Sequence, residues 1–186
     1  IIDIDFGVGA IGFAATNFNV LESAGFGVVT VARTNGHSGA VTVTYTTLDG
    51  VGTATPGVRY LSTNGILTFG DGERSKTFSV PIIDNAIVDG NATIAMQLAG
   101  VTGGAGLGLT NATLTIVDDD SFGSFQFATN SYIVVESVGS VVVTVLRTGG
   151  SVGAVSVDFA TQGGSAVAGV DYIPVQQVLR FGPGQT

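Results

Sequence analysis

Three consecutive carboxylates interrupt the chain at Asp118-Asp119-Asp120, directly after the apolar run Thr115-Ile116-Val117 and before a fresh start at Ser121-Phe122-Gly123. Adjacent acids repel one another, so a strand end carries them at a cost unless a cation sits among them, and hard carboxylate oxygens are the donors Ca2+ takes. A blurred version of the same junction opens the sequence at Ile2-Asp3-Ile4-Asp5-Phe6-Gly7. Other candidate chemistry is thin. His37, the only histidine, lies in the turn composition Asn35-Gly36-His37-Ser38-Gly39, and Ser151 stands at the matching place of the internal repeat described below. Gly103-Gly104-Ala105-Gly106-Leu107-Gly108 has neither the Lys-Ser/Thr ending nor the following helix of a phosphate loop. A carboxylate pair in the acidic run could serve glycoside hydrolysis, but there is no Trp to grip a sugar and nothing resembles an activated nucleophile. The residues read as non-catalytic.

The elements that must carry these acids are strands. Val41, Val43 and Tyr45 alternate with Thr42, Thr44 and Thr46; Phe78, Val80 and Ile82 with Thr77, Ser79 and Pro81; Ile94, Met96 and Leu98 with Thr93, Ala95 and Gln97; Ala112, Leu114 and Ile116 with Thr113 and Thr115. Further strands cover roughly 18–21, 28–33 and 66–69. Period-two alternation with one Thr-rich face describes antiparallel sheets that are wet on one side. Asn35-Gly36, Asp49-Gly50, Asn64-Gly65, Asp71-Gly72 and Asp89-Gly90 supply turn signals between them. About seven strands with regular turns predict a β-sandwich. Its core should hold Val29, Val31, Val41, Val43, Tyr45, Leu67, Phe69, Phe78, Val80, Ile82, Ile94, Met96, Leu98, Leu114 and Ile116.

An internal repeat sets the domain organisation. The segment 17–50 lies over 131–164 without a gap at an offset of 114, with 17 identities in 34 positions. A two-residue insertion near Gly52–Thr55 resets the offset to 112, so that Tyr60 meets Tyr172 and Phe69 meets Phe181. A period of this length suits a whole small domain. The expected division is 1–8 as the final strand and junction of a preceding repeat, 9–120 as a complete sandwich, and 121–186 as the first part of a second, incomplete one. Such a part leaves apolar faces open, which neighbouring repeats or head-to-tail copies of the chain would cover.

Composition narrows the partners. The net charge is −8, and Lys and Arg are scattered singly, so no basic stripe exists to neutralise phosphates and nucleic acid is excluded as a partner. Charged residues make up 11%, against a usual ~25%, which leaves faces of Thr, Ser, Asn and Gly that favour packing against neighbours. Without cysteine there are no disulfides and no thiolate metal sites. No apolar run approaches the ~18 residues of a membrane span.

Taken in order, Phe18-Asn19-Val20-Leu21-Glu22, Val29 to Thr34, Val41 to Tyr45, Leu67 to Glu73, Val80 to Asp84 and Ala112 to Asp120 resemble the Calx-beta domain family. In the second repeat the resemblance is carried by Tyr132 to Gly139, Val143 to Gly150, Gly169-Val170-Asp171-Tyr172 and Leu179 to Thr186. It implies tandem immunoglobulin-like antiparallel sandwiches, found in regulatory regions of sodium–calcium exchangers and in large bacterial surface and secreted proteins. Some members bind clustered Ca2+ at the loop end where one domain meets the next. The ligands it implies for the first repeat are Glu22, Asp84, Asp89, Asp118, Asp119 and Asp120, enough for one ion rather than a cluster. Arg59 stands where the second repeat has Asp171, a reversal of charge, and Glu136 and Asp171 are the implied ligands of the second repeat. Two arrangements stay open for the first repeat: bound Ca2+, or Arg59 lying among the acids as a built-in cation.

Two functional classes remain. The low charge, repetition and eroded ligand set favour a non-catalytic structural repeat of an extracellular or cell-surface fibre, stalk or adhesin, stiffened by Ca2+ at its junctions. The alternative is a calcium-responsive regulatory or ligand-binding module.

Overall fold

In the computed structural model, residues 7–186 are described; of the 1–8 expected as the final strand and junction of a preceding repeat, 1–6 lie outside them and Val8 opens the first strand below. The chain divides into two units, the first made of the described residues up to Asn85 with Asp89–Asp119, the second of Ala86–Val88 with Asp120–Thr186.

The alternating stretches of the first unit become β1 (Val8–Phe13), β2 (Asn17–Leu21), β3 (Phe26–Gly36), β4 (Val41–Leu48), β5 (Asn64–Phe69), β6 (Ser75–Pro81), β7 (Ala92–Ala99), β8 (Gly106–Leu107) and β9 (Asn111–Val117). They form two sheets, ordered β6-β3-β1-β8 and β2-β9-β7-β4-β5. Every pairing is antiparallel except β1 with β8 and β2 with β9. The inward faces enclose one core that contains the expected residues, with Tyr45 and Leu67 half-buried at its margin and Ile11, Phe13 and Tyr60 added. The rings of Tyr45 and Phe78 stack at 4.0 Å between centroids.

β1 is not announced by the alternation, because one stretch of chain serves both sheets. Ala14 N–H donates to Thr30 O at 3.0 Å in the first sheet, and Thr113 N–H donates to Thr16 O at 2.9 Å in the second. The chain therefore changes sheet between Ala14 and Thr16. Two expected turns are corrected, and the first, Asn35-Gly36, is the end of β3, with Gly36 paired to Val8. Asn64-Gly65 opens β5 instead of turning, with Gly65 paired to Tyr45. A Cβ on Gly65 would lie 2.6 Å from the Tyr45 hydroxyl, so glycine is needed there for the aromatic ring to lie across the strand.

Arg33, which reads in the sequence as an isolated charge, is only 3% exposed. It has four carbonyl partners: Nε donates to Val8 O at 2.9 Å, Nη1 to Gly39 O at 2.9 Å and Gly70 O at 3.3 Å, and Nη2 to Ser38 O at 2.6 Å. The planar fork ties the start of β1 to the β3–β4 turn and the end of β5. The second unit repeats the device. Arg147 donates to the carbonyls of Phe122, Val152, Gly153, Gly182 and Gln185.

That unit consists of β10 (Ser124–Phe127), β11 (Val145–Thr148), β12 (Val155–Ala160) and β13 (Gln176–Phe181), in two antiparallel pairs, β10–β11 and β12–β13. Phe125, Phe127, Val145, Val157, Phe159 and Leu179 line an apolar cleft of about 220 Å³. The segment 131–144, counterpart of β2 and the first half of β3, contains no strand. Among the described residues of this unit there is no counterpart of β9 or β6 for it to pair with.

Arg33→Lys keeps the charge but loses the fork, so it should destabilise the first unit by about 2–3 kcal/mol. Urea unfolding checks this, and a midpoint equal to that of the parent chain would show the fork to be dispensable.

Candidate metal site at the acidic end of the first unit

β2 runs into a single 3-10 turn, Glu22–Ala24, which ends on Gly25 in the left-handed region. This turn takes Glu22 wholly out of solvent. A buried carboxylate needs hydrogen-bond donors or positive charge around it. Glu22 Oε2 forms an ion pair with Arg59 Nη2 at 3.2 Å and accepts from Asn85 Nδ2 at 3.2 Å. Arg59, 7% exposed, also pairs with Asp89 and donates from Nη2 to Gly90 O at 3.4 Å.

The backbone holds Arg59 in place. Its N–H donates to Thr55 O and its carbonyl accepts from Ile83 N–H, both at 2.9 Å. Its neighbour Tyr60 bridges to Pro56 and Ile82 and buries its ring in the core. The Tyr60 hydroxyl donates to Asp49 Oδ1 at 2.8 Å, and Ser62 Oγ donates to the same carboxylate. Burial first, then the bond to Asp49 and its charge, push the Tyr60 phenol up to about 12.

The remaining acids take different roles. Asp118, after β9, accepts at Oδ2 from the N–H groups of Asp89 (2.9 Å) and Gly90 (2.5 Å), while its own N–H donates to Asn91 Oδ1 at 3.1 Å. It therefore anchors the loop that carries Asp89. Asp119 accepts from Ser23 Oγ at 2.5 Å. Glu22, Asp84 and Asp119 each bring a carboxylate oxygen to within 4.8 Å of the others. Of the six acids implied for the first repeat, Glu22, Asp84 and Asp119 share one place, Asp118 holds backbone N–H groups and also brings an oxygen to within 4.8 Å of Glu22, Asp89 lies on Arg59, and Asp120 begins the second unit. In that unit Glu136 sits in an exposed 3-10 turn, and Asp171 accepts from Val167 N–H at 2.7 Å within its own loop.

Ca2+ takes six to eight oxygens. The three converging carboxylates could hold one ion, although Glu22 Oε2 is already paired with Arg59, as is Asp89. Ser23 and Asn85 were not foreseen as part of this end. Asn85 follows Asp84 where the family resemblance has further acids, and nothing in the sequence marks Ser23.

A sandwich of two sheets with its acids gathered at one loop end, followed by a second unit of related sequence, defines a tandem all-β module. The Calx-beta domain profile matches residues 5–120 and 118–186, and the chain belongs to that family. It is 30% identical to the sodium/calcium exchanger Calx of Drosophila melanogaster over 91% of its length, and 34% identical to human sodium/calcium exchanger 3 over 84%. It spans only 18% and 19% of those proteins. Among solved structures, the calcium binding domain CBD12 of CALX1.1 matches 95% of this chain at a TM-score of 0.71 and 28% identity, with 71% of that structure covered. The apo-form Calx CBD1 domain matches 60% of the chain, at a TM-score of 0.56 and 28% identity, with 97% of that structure covered. These relatives support the tandem sandwich and a calcium-binding class. They lend no support to the expected fibre, adhesin or homopolymer, nor to an extracellular placement. Among the described residues no helix is long and apolar enough to cross a membrane.

The raised Tyr60 pKa generates a pH prediction. The neutral phenol is the favoured form in the folded chain, so its contribution is complete below about pH 10 and is lost as pH rises toward about 12. Melting temperature should fall more steeply across that window in the parent chain than in Tyr60→Phe. Parallel curves would remove Tyr60 as a titrating support of the Arg59 loop.

Proposed function

We propose that this chain is a non-catalytic, calcium-responsive tandem Calx-beta module whose first unit takes one Ca2+ at Glu22, Asp84 and Asp119. The observation that carries the reading is the approach of these three carboxylates to within 4.8 Å around the buried Glu22. They come from three separate elements: the turn after β2, the loop after β6 and the end of β9. Uncompensated, they repel and loosen that end of the sandwich. A bound ion supplies the positive charge and coordination places that draw hard oxygens together. The chain's own residues supply orientation. Asn85 steadies Glu22, Ser23 aims Asp119, and Asp118 fixes the neighbouring loop through two backbone N–H groups. Stiffening at the residue where the first unit ends is a means of signalling calcium along a tandem array. The relatives that match are sodium/calcium exchangers and a calcium binding domain, which suits a regulatory role.

A second reading rests on Arg59. Its guanidinium already neutralises Glu22 and Asp89, as a metal-independent spacer would require.

Isothermal titration separates the two. The calcium-responsive reading expects one ion bound by the first unit, a weaker response to Mg2+, and stabilisation of about 2.7 kcal/mol at a hundredfold excess over Kd. Asp84→Asn and Asp119→Asn, both at exposed positions, should each remove the heat of binding while leaving the metal-free melting temperature unchanged or raised. A chain with no calcium heat and no thermal shift is the spacer.

A further inference from the structure

The two repeats build the same turn around position 59 and its counterpart, with opposite charge on it. In the first, Arg59 N–H donates to Thr55 O at 2.9 Å, Gly57 N–H donates to Tyr60 O at 2.8 Å, and Pro56 bridges Tyr60. In the second, Asp171 N–H donates to Val167 O at 2.9 Å, Gly169 N–H donates to Tyr172 O at 2.8 Å, and Ala168 bridges Tyr172. An identical backbone thus presents a guanidinium in one unit and a carboxylate in the other.

The acceptors around the Arg59 guanidinium are also informative. They are two carboxylates, Glu22 and Asp89, and one peptide carbonyl, Gly90. Carboxylates with a backbone carbonyl are a hard-cation donor set, and an arginine on such a set is a cation tethered to the fold. The loop bearing Asp89 and Gly90 is held from its other side by Asp118, which accepts both of their N–H groups. It is therefore clamped between a positive side chain and an anchoring carboxylate.

We infer that Arg59 takes the place of a metal ion: it holds the 89–90 loop closed in the absence of calcium and limits the first unit to one fewer ion than its donors could accept. With aspartate at position 59, Glu22, Asp89, the Gly90 carbonyl and the new carboxylate form an open cation site beside Glu22, Asp84 and Asp119. The inference builds on the reading of that neighbouring trio as a calcium site, but its own readout is an increment in the number of ions bound.

The test compares the full chain with Arg59→Asp and Arg59→Met, using Ca2+ as the titrant in calorimetry and thermal melting with and without chelator. Arg59→Asp should bind one ion more than the parent chain. It should melt about 5 °C or more below the parent in chelator and regain that difference in Ca2+. Arg59→Met should show the same loss in chelator and no added ion. A parent chain that binds none while Arg59→Asp binds one sinks the preceding proposal and supports this inference. Equal stoichiometry in parent and Arg59→Asp overturns the inference, whatever the parent binds. Should Arg59→Asp fail to fold, Asp89→Asn decides the clamp. A lowered melting temperature in chelator that Ca2+ does not restore supports it, and an unchanged one overturns it.

Discussion

A carboxylate sealed from water dominates the acidic end of the first unit. Glu22 is fully buried where β2 ends, and the desolvation of its charge is tolerable only because positive charge and hydrogen-bond donors meet it there. That requirement explains the surrounding construction. Arg59 must be buried beside it, so the turn that carries Arg59 is held by backbone bonds to Thr55 and Ile83 and by the Tyr60 ring in the core. Asp89 meets the guanidinium as a second counter-charge, and Asp118 fixes the loop bearing Asp89. Asp84 and Asp119 then converge with Glu22 at this partly neutralised centre.

Each unit also meets the opposite problem, a buried cation. Arg33 and Arg147 are buried cations that donate to converging backbone carbonyls. Carbonyls offer partial charges, yet several converging on a planar fork can satisfy its donors with directional bonds. The two charged centres differ in consequence. A fork on carbonyls is indifferent to calcium, so it fixes the fold under all conditions. A buried acid beside exposed acids is sensitive to every added cation. In the first unit the carbonyl-held Arg33 and the buried Glu22 thus lie at different sites of one sandwich.

The repeats show how far local sequence governs local structure. Asn17–Leu21 is a strand because β9 lies beside it, with Phe18 paired to Leu114 and Val20 to Ile116. Its counterpart in the second unit is extended yet unpaired in any sheet, and Ile133 is almost fully exposed. The 3-10 turns that follow are the same in both, each closed by a glycine in the left-handed region. A turn needs only its own residues, whereas a strand needs a partner.

Alternation alone determined the fold class and nearly all of the core of the first unit, because period-two burial follows from the pleat itself. The repeat offset likewise exposed the opposite charges at Arg59 and Asp171, a difference visible without coordinates. What the tertiary structure decided was which atoms meet. That β1 and β2 serve different sheets depends on Leu109 and Thr113, nearly a hundred residues away. The Asn64-Gly65 pair has the composition of a turn, but the Tyr45 ring across Gly65 makes it a strand. Arg33 could not be read as a staple, since carbonyls carry no sequence signal. Among the acids, composition could not tell that Asp118 holds the backbone N–H groups of residues 89 and 90 while Asp119 meets Asp84, both of them close to Glu22. Three adjacent acids look alike in sequence, and only the packed loops around them determine which donors each one meets.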